Sequence, residues 1–304
     1  MRVATRDSYH RSVFSVMTCS SPMTSLTGLL TFRMDRNPGS RSSVRSTSLQ
    51  KLPDTAMRMT RIVLSFNRHF FGVAILASVI GIVLLFVVDN VPLQMLLVFG
   101  VGLAVYFMLA SVITSYIVYD ASDLYKLNWW PTRCFPESPS NGVLVHAGFD
   151  ASSPTIRRKY PEIQMRVLDF FDSRVTTETS IQRAPELNPT AVQERIRFDS
   201  WPVNNGSQDA VFAIIAAHEL RKDNERKAFF AEARRVLNDN GRVIVIEQLR
   251  DVFNFACFGI AALHFLPRTT WLRSFRTAGL AIKDEFKITP LLTAFVLVRP
   301  STQP

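Results

Sequence analysis

The chain has 304 residues, 47% of them hydrophobic, and a formal net charge of +10 at pH 7. The charge is concentrated in residues 1–68, where eleven Lys and Arg against three Asp leave +8, so the remainder is almost neutral. This distribution excludes the basic stripe with interleaved aromatics that a nucleic-acid groove requires. Cys19, Cys134 and Cys257 are scattered, which excludes a disulfide framework and a cysteine-based zinc site. No metal site is predicted.

Residues 1–60 are rich in Ser, Thr, Arg and Met and show little apolar periodicity. Such a segment cannot bury enough apolar surface to offset the entropy lost on ordering. The composition also suits a transit peptide, but Met57 and Met59 stand directly before the first well-patterned segment. We predict that residues 1–60 are a disordered basic segment or an extension from a misassigned start codon, in preference to a targeting peptide.

Residues 61–130 contain two long uncharged runs. The first extends from His69 to Val88 and is dense in Ile, Val, Leu and Phe, and the second follows a break at Asp89–Pro92. A helix of about 20 such residues matches a hydrocarbon core of about 30 Å. The sequence therefore predicts two transmembrane helices, at 69–88 and 92–118, that form an antiparallel hairpin. The alternative is a pair of buried core helices.

The flanking charges predict the orientation of this hairpin. Arg58, Arg61 and Arg68 precede the first helix, whereas the turn between the helices offers only Asp89. The positive-inside bias places both ends in the cytoplasm. We therefore predict a two-pass integral membrane protein, of a bacterial inner membrane, with a cytoplasmic C-terminal domain. An interfacial aromatic segment is predicted after the second helix, containing Tyr116, Tyr119, Tyr125, Trp129 and Trp130.

Residues 131–304 have the pattern of a soluble α/β domain. Short apolar runs typical of buried strands alternate with helical segments, which predicts a mostly parallel sheet covered on both faces. The apolar segment Val252–Leu266 contains His264 and is too short to span a bilayer, so a buried or interfacial helix over the site is expected. The strands are expected near 143–145, 165–171, 210–217, 243–246 and 292–299, and the helices near 224–237 and 270–278.

Two positions indicate a nucleotide site at the carboxyl ends of the first strands. Gly148 follows the first strand, where backbone must approach a ligand closely, and Asp169 ends the second strand. Their separation of about twenty residues suits a carboxylate that accepts hydrogen bonds from ribose hydroxyls. Taken alone, this pattern leaves a nucleotide site and an ordinary turn as equal alternatives.

The second half of the domain is more specific. Asp209 opens the run DAVFAIIAAHEL, and a helix with Glu232-Ala-Arg-Arg-Val-Leu leads through Asn240-Gly241 to the strand RVIVIE. These residues resemble the fourth and fifth motifs of class I S-adenosylmethionine-dependent methyltransferases, in the type 11 branch, over residues 140–300. Only one glycine of the usual pair is present, but Asn tolerates the left-handed turn expected there. The resemblance implies a Rossmann-like seven-stranded sheet with helices on both faces and S-adenosylmethionine as cofactor.

The resemblance also implies cofactor-binding residues in three loops. The first loop departs from the family pattern, because Leu144, His146 and Asp150 replace its acidic residue, first glycine and third glycine. Its Gly-Phe-Asp ending resembles the Gly-Leu-Asp of leucine carboxyl methyltransferases. The implied residues are Ala147, Gly148, Phe149 and Asp150 under the methionine part, Asp169 and Phe170 at the ribose and adenine, and Asp199 and Ser200 at the adenine edge.

Four residues after the fourth and fifth strands are candidate catalytic residues: His218, Glu219, Glu247 and Arg250. A histidine near the acceptor could take its proton as the methyl group arrives. Methyl transfer can equally proceed by proximity and alignment alone, and His218 could instead cap or pack a helix. For Arg250 the alternative is a solvated surface ion pair.

The sequence thus predicts a membrane-anchored enzyme that transfers a methyl group from S-adenosylmethionine to an unknown acceptor. Its hairpin in the lipid bilayer favours a lipophilic acceptor, such as a quinone, an isoprenoid or a lipid, or a membrane protein. The altered first loop keeps an alternative open, a catalytically inactive methyltransferase-like scaffold or interaction protein at the membrane. A transporter or channel is excluded unless the protein oligomerises, because two spans without an intramembrane charge offer no ion path.

Overall fold

The computed structural model describes residues 58–135, 137–171 and 194–300. The prediction for residues 1–57 lies outside these ranges. Residues 58–60, which were assigned to the disordered segment, instead begin helix α1 (Arg58–Phe66). The Asp120 carboxylate accounts for this start, because it accepts hydrogen bonds from the first-turn amides of Met59 at 3.0 Å and Thr60 at 2.8 Å.

Two long apolar helices follow α1. Helix α2 (Arg68–Leu85) and helix α3 (Val91–Ser115) are long and apolar enough to cross a membrane, and most of their large side chains are exposed. The helices pack closely against each other, since a Cβ added at Gly81 would lie 2.7 Å from Val101 Cγ2. A π-helical turn, Tyr116–Ala121, continues α3 towards the rest of the chain.

Seven strands form one mixed sheet: β1 (Asn141–His146), β2 (Gln164–Asp169), β3 (Glu194–Arg195), β4 (Gln208–Ile214), β5 (Leu237–Gln248), β6 (Ala281–Thr289) and β7 (Leu292–Val298). Their order in the sheet is β3-β2-β1-β4-β5-β7-β6. Strands β1 to β5 run parallel, and β7 lies antiparallel between β5 and β6. The strand order reverses between β1 and β4, so the crevice beyond their carboxyl ends is where a ligand is expected.

Helices cover both faces of this sheet: α4 (Trp130–Arg133), α5 (Ser153–Lys159), α6 (Asp223–Val236), α7 (Val252–Phe258) and α8 (Arg268–Thr277). Val143 and Val145 of β1 join a core cluster with α6 and α8, whereas Leu144 joins a second cluster with α4 and α5. Alternate side chains of a strand point to opposite faces, so the two clusters lie on the two sides of the sheet. The Rossmann-like seven-stranded architecture is therefore confirmed.

The prediction of a left-handed turn at Asn240–Gly241 is wrong. Helix α6 ends at Val236 and β5 begins directly at Leu237, with a register shift against β4. Neither Asn240 nor Gly241 has a left-handed backbone. Gly241 is needed for another reason, because a Cβ there would lie 2.9 Å from the Gln208 carbonyl oxygen.

Trp130 was expected at the level of the lipid headgroups, and this is also wrong. Its side chain is fully buried in the second core cluster, because the ring packs against Phe212 with 4.6 Å between ring centroids. The segment Val252–Leu266 agrees better with expectation: α7 is a short helix, and the 3₁₀ turn Gly259–His264 follows it.

Candidate functional site

Two buried carboxylates lie at the carboxyl edge of the sheet. Asp169 ends β2 and Glu247 lies one residue before the end of β5, and each side chain is 1% exposed. Because β2, β1, β4 and β5 are neighbours in the sheet, the two residues are three strand spacings apart, about 14 Å. We name the part of this edge around β1 and β2 the cofactor side and the part around β4 and β5 the acceptor side, after the roles that the sequence analysis predicts for them.

On the cofactor side, Asp169 holds the loop after β1. Its Oδ1 accepts hydrogen bonds from the amides of Gly148 at 2.8 Å and Phe171 at 2.9 Å. Gly148 has φ of 82°, a left-handed conformation that glycine adopts without strain. Asp169 Oδ2 is buried without a hydrogen-bond partner in the described ranges, and Arg195 Nε lies 3.7 Å away. The sequence predicted both Gly148 and Asp169, and the structure brings them together.

His146, which stands where the methyltransferase pattern that the sequence resembles has its first glycine, lies beside Asp169. Its Nδ1 is 3.8 Å from Asp169 Oδ1, and neither ring nitrogen has a hydrogen-bond partner among the residues that the structure describes. Burial lowers the pKa of His146, and this effect outweighs the opposing charges of Asp169 and Asp150. The imidazole is therefore neutral at pH 7.

The other residues of the first loop have local structural contacts. Asp150 begins α5: its Oδ1 accepts the amides of Ser152 at 2.9 Å and Ser153 at 2.8 Å, and its Oδ2 accepts the Ser153 hydroxyl. Ala147 and Phe149 are half-buried. After β2, the Phe170 ring packs edge-to-face on Phe229 in the core, 5.6 Å between centroids.

Asp199 and Ser200 lie on the loop after β3. Arg197 Nε and Nη2 each donate to the Asp199 carboxylate at 2.9 Å, and the Ser200 amide donates to the Arg197 carbonyl at 3.2 Å. The hydrogen bond from Arg197 is the main reason why the pKa of Asp199 is lowered. The carboxylate thus serves a local turn, and its placement at the adenine edge remains a prediction.

On the acceptor side, Glu247 fixes the loop after β4. Its Oε1 accepts the amides of Ala216, Ala217 and His218 at 3.2, 2.8 and 3.2 Å. Its Oε2 lies 2.8 Å from His218 Nδ1. The chain enters this loop through Ile215, whose φ of 47° is uncommon for a β-branched residue. A strained backbone and a buried carboxylate together determine where the His218 ring points.

Glu219 and His264 complete this side of the site. Glu219 Oε1 lies 3.2 Å from His218 Nε2, and the rings of His218 and His264 meet edge-to-face with 5.6 Å between centroids. Burial alone would lower the pKa of His218, but the charges and hydrogen bonds of Glu247 and Glu219 outweigh it and raise the pKa well above its usual range. The sequence placed His264 in the apolar segment expected over the site but assigned it no catalytic or binding role, because it lies 45 positions beyond Glu219.

Arg250, the fourth candidate catalytic residue, binds backbone. Its Nε donates to the Phe265 carbonyl at 2.8 Å and its Nη2 to the Leu263 carbonyl at 2.7 Å, so it binds the carbonyls of the residues on either side of His264. Its described contacts position the acceptor side and are not those of a surface ion pair.

A family model described as a methyltransferase domain matches residues 150–245 of the chain. Among solved structures, a methyltransferase from Aquifex aeolicus that depends on S-adenosylmethionine is 13% identical, with 52% of this chain and 81% of that chain covered and a TM-score of 0.40. A Sulfolobus solfataricus protein assigned as a type 11 methyltransferase is 16% identical, with 59% and 94% covered and a TM-score of 0.40. No curated protein matches the sequence.

The family match supports S-adenosylmethionine as the cofactor of this domain. One observation indicates that the residues on the cofactor side fit S-adenosylmethionine. Asp169 Oδ2 is a buried acceptor without a hydrogen-bond donor in the part of the chain that the structure describes, and a ribose hydroxyl would supply that donor.

Proposed function

We propose that the protein is a membrane-anchored methyltransferase that methylates a lipophilic acceptor at the cytoplasmic surface of a bilayer. The α2–α3 hairpin would be the anchor, with both of its ends in the cytoplasm, as the flanking arginines favour. The methyl group would come from S-adenosylmethionine bound over β1 and β2, with Asp169 receiving the ribose hydroxyls. S-adenosylmethionine supplies the electrophilic methyl group, and the residues of this chain bind and align the reactants.

The observation that carries the lipophilic acceptor is the contact between α7 and the hairpin. The Tyr106 hydroxyl donates to the Ala256 carbonyl at 3.0 Å. A Cβ added at Gly259 would lie 2.8 Å from the Phe107 ring. Tyr106 is nine residues before the end of α3, which is about 13 Å along the helix axis. If α3 crosses a bilayer, α7 is docked within its apolar depth.

The exposed side chains of α7 and the following turn suit that environment. Val252, Phe253 and Ile260 are 80%, 61% and 83% exposed. Exposed apolar patches of this kind mark membrane or protein contacts. The same segment ends at His264, beside His218. An acceptor dissolved in the bilayer could therefore reach the acceptor side of the site without crossing water.

The cofactor part of this proposal is tested by calorimetric titration of the full chain, in detergent micelles, with S-adenosylmethionine and S-adenosylhomocysteine. Micromolar binding that Asp169→Asn weakens supports the site. Asp239→Asn is the matched control, because the Asp239 side chain is 94% exposed and lies away from the site. Absence of binding by folded wild-type protein would reject the proposal.

The acceptor part is tested with the full chain in lipid nanodiscs and radiolabelled S-adenosylmethionine. Incubation with a membrane lipid extract should transfer label into material that partitions into chloroform, and Asp169→Asn should suppress the transfer. Phe253→Ser with Ile260→Ser should reduce transfer while leaving cofactor affinity unchanged. Label appearing only in water-soluble acceptors would contradict a lipophilic substrate.

A second function, a membrane-tethered scaffold without catalysis, is favoured by one observation. His146 occupies the place of a family glycine and its buried ring lies 3.8 Å from Asp169, so the space against the Asp169 carboxylate is partly filled. The titration distinguishes the two functions, since a scaffold would remain folded without binding either cofactor form.

A further inference from the structure

We propose that His218, Glu219 and His264 form a binding site for a divalent transition-metal ion, best suited to Zn²⁺. One ligand atom from each residue lies within 4.8 Å of the other two. The cluster joins the loop after β4 to the end of the turn that follows α7. Two imidazoles and one carboxylate are a donor set that zinc accepts, with a further position open to an oxygen ligand.

The observed distances between the ligand atoms require only small side-chain movements to reach the geometry of a zinc site. Zinc binds histidine nitrogen and carboxylate oxygen at about 2.0–2.2 Å, which in tetrahedral geometry places two ligand atoms about 3.4 Å apart. His218 Nε2 and Glu219 Oε1 are already 3.2 Å apart. The edge-to-face arrangement of the two rings, at an interplanar angle of 84°, lets one nitrogen of each imidazole approach a common point.

Glu219 supplies an independent indication of a ligand. Its side chain is only 8% exposed, and the one ion-pair partner of its buried Oε1 within the described residues is His218 Nε2, at 3.2 Å. Buried carboxylates are usually fully paired or bound to metal, because leaving their acceptor capacity unused is unfavourable. A cation held by Oε1 and both histidines would satisfy this oxygen.

The surroundings of His218 match those of metal-binding histidines. Such a histidine almost always donates its second ring nitrogen to a carboxylate or carbonyl, which fixes the tautomer and the ring orientation. Here Glu247 Oε2 receives His218 Nδ1 at 2.8 Å, and three backbone amides hold Glu247 Oε1 in place. Nε2 is thereby left facing Glu219.

The second histidine is also held in position. Arg221 Nη1 donates to the His264 carbonyl at 2.8 Å and to the His218 carbonyl at 3.3 Å, which ties the two ligand-bearing segments together. Arg250 holds the carbonyls on either side of His264. A preorganised backbone of this kind is what a binding site requires.

The test uses the full chain in detergent, stripped with a chelator, loaded with Zn²⁺ and dialysed. Elemental analysis should find one zinc per chain. Glu219→Gln and His264→Gln should each weaken zinc binding by at least about tenfold, whereas Glu162→Gln, at an exposed position, should leave it unchanged. The proposal is overturned if folded wild-type protein retains no zinc, or if both ligand variants retain it fully.

A spectrum of the wild-type protein keeps the test independent of how the variants fold. Co²⁺ in place of Zn²⁺ should give visible bands of a low-symmetry site without the intense thiolate-to-cobalt band. A thiolate band would place the ion on a cysteine and overturn the assignment. Neither measurement depends on cofactor binding or on enzymatic activity. The metal site can therefore be rejected without rejecting the proposed methyl transfer, and methyl transfer can be rejected without rejecting the metal site.

Discussion

The cofactor side and the acceptor side of the sheet edge both carry a buried carboxylate, but the two groups have opposite hydrogen-bonding states. Asp169 accepts two amides on one oxygen and leaves the other without a donor in the described structure. Glu247 accepts three amides on one oxygen and faces His218 with the other. Asp169 therefore has one carboxylate oxygen available to accept a hydrogen bond from a ligand. Both oxygens of Glu247 already have partners, so Glu247 acts by orienting His218.

The difference shows that two buried acidic residues at the ends of strands in one sheet can have different roles. Because a buried carboxylate needs donors on both oxygens, the number of donors already present indicates whether a ligand must complete the set. Asp169 should therefore matter more for binding than for folding, and Glu247 more for folding than for binding. Four substitutions test this comparison, ordered by expected effect.

Glu247→Leu should give the largest effect, a loss of about 3 kcal/mol in stability. It leaves three backbone amides, of which two are buried, and His218 Nδ1 without their acceptor. Each unsatisfied buried group costs about 1–3 kcal/mol, offset in part by the apolar side chain. Thermal and urea unfolding of the full chain in detergent measure this. Glu162→Leu, at an exposed position, is the control and should change stability by less than about 0.5 kcal/mol.

The same variant sharpens the comparison when its cofactor affinity is measured where it is still folded. Glu247 and Asp169 are three strand spacings apart, so their effects should be nearly independent, within about 0.5 kcal/mol. Cofactor affinity should change by no more than about threefold. A collapse of affinity comparable with that of an Asp169 variant would show that the two carboxylates do not have separate roles.

Asp169→Asn should weaken cofactor binding by about 30-fold, or about 2 kcal/mol, because charge-assisted hydrogen bonds to the ribose are lost. Its effect on stability should be smaller than that of Glu247→Leu, since the amide oxygen can still accept from Gly148 and Phe171. Calorimetry and thermal unfolding are measured on the same preparation. Unchanged affinity would remove Asp169 from the binding site.

The sequence predicted the Rossmann-like sheet, two long apolar helices where α2 and α3 lie, and the positions of Gly148 and Asp169 at the ends of neighbouring strands. These features depend on local hydrophobic patterns and on strand-end positions, which are readable along the chain. The Asn240–Gly241 turn could not be predicted correctly, because a bulge opposite Gln208 determines the backbone there. Strand β6 was missed since its residues are half-exposed and charged.

The acceptor side was less accessible to sequence reasoning. His218, Glu219, Glu247 and Arg250 were expected near each other, but the contact of His218 with His264 was not. His264 approaches only because the turn after α7 folds back, and Arg250 received a catalytic role although it binds the two carbonyls beside His264. Contacts of this kind depend on the path of an irregular segment, which no periodicity encodes.

Gly148→Ala tests the backbone that Asp169 holds. At φ of 82° a Cβ is strained by about 1–2 kcal/mol, so stability should fall by about that amount and cofactor affinity by up to tenfold. Gly206→Ala is the matched control, because Gly206 also has a positive φ, of 61°, but lies in open space on a distant loop. It should lower stability similarly and leave affinity unchanged; equal loss of affinity in both variants would point to a general effect of strain.

His146→Gln should produce the smallest effect and the one with a defined pH window. Because burial lowers the pKa of His146 below its ordinary value of 6.5, the folded protein keeps the ring neutral where the unfolded chain takes up a proton. Stability from this residue is thus complete above pH 6.5 and is lost as the pH falls, by up to about 1.4 kcal/mol per unit. Unfolding measured at pH 6.5 and 5.5 should show this loss in wild type and in His69→Gln, but not in His146→Gln. If the pH dependence persists without the imidazole, His146 is not the group that responds, and its position beside Asp169 would then bear on cofactor access alone.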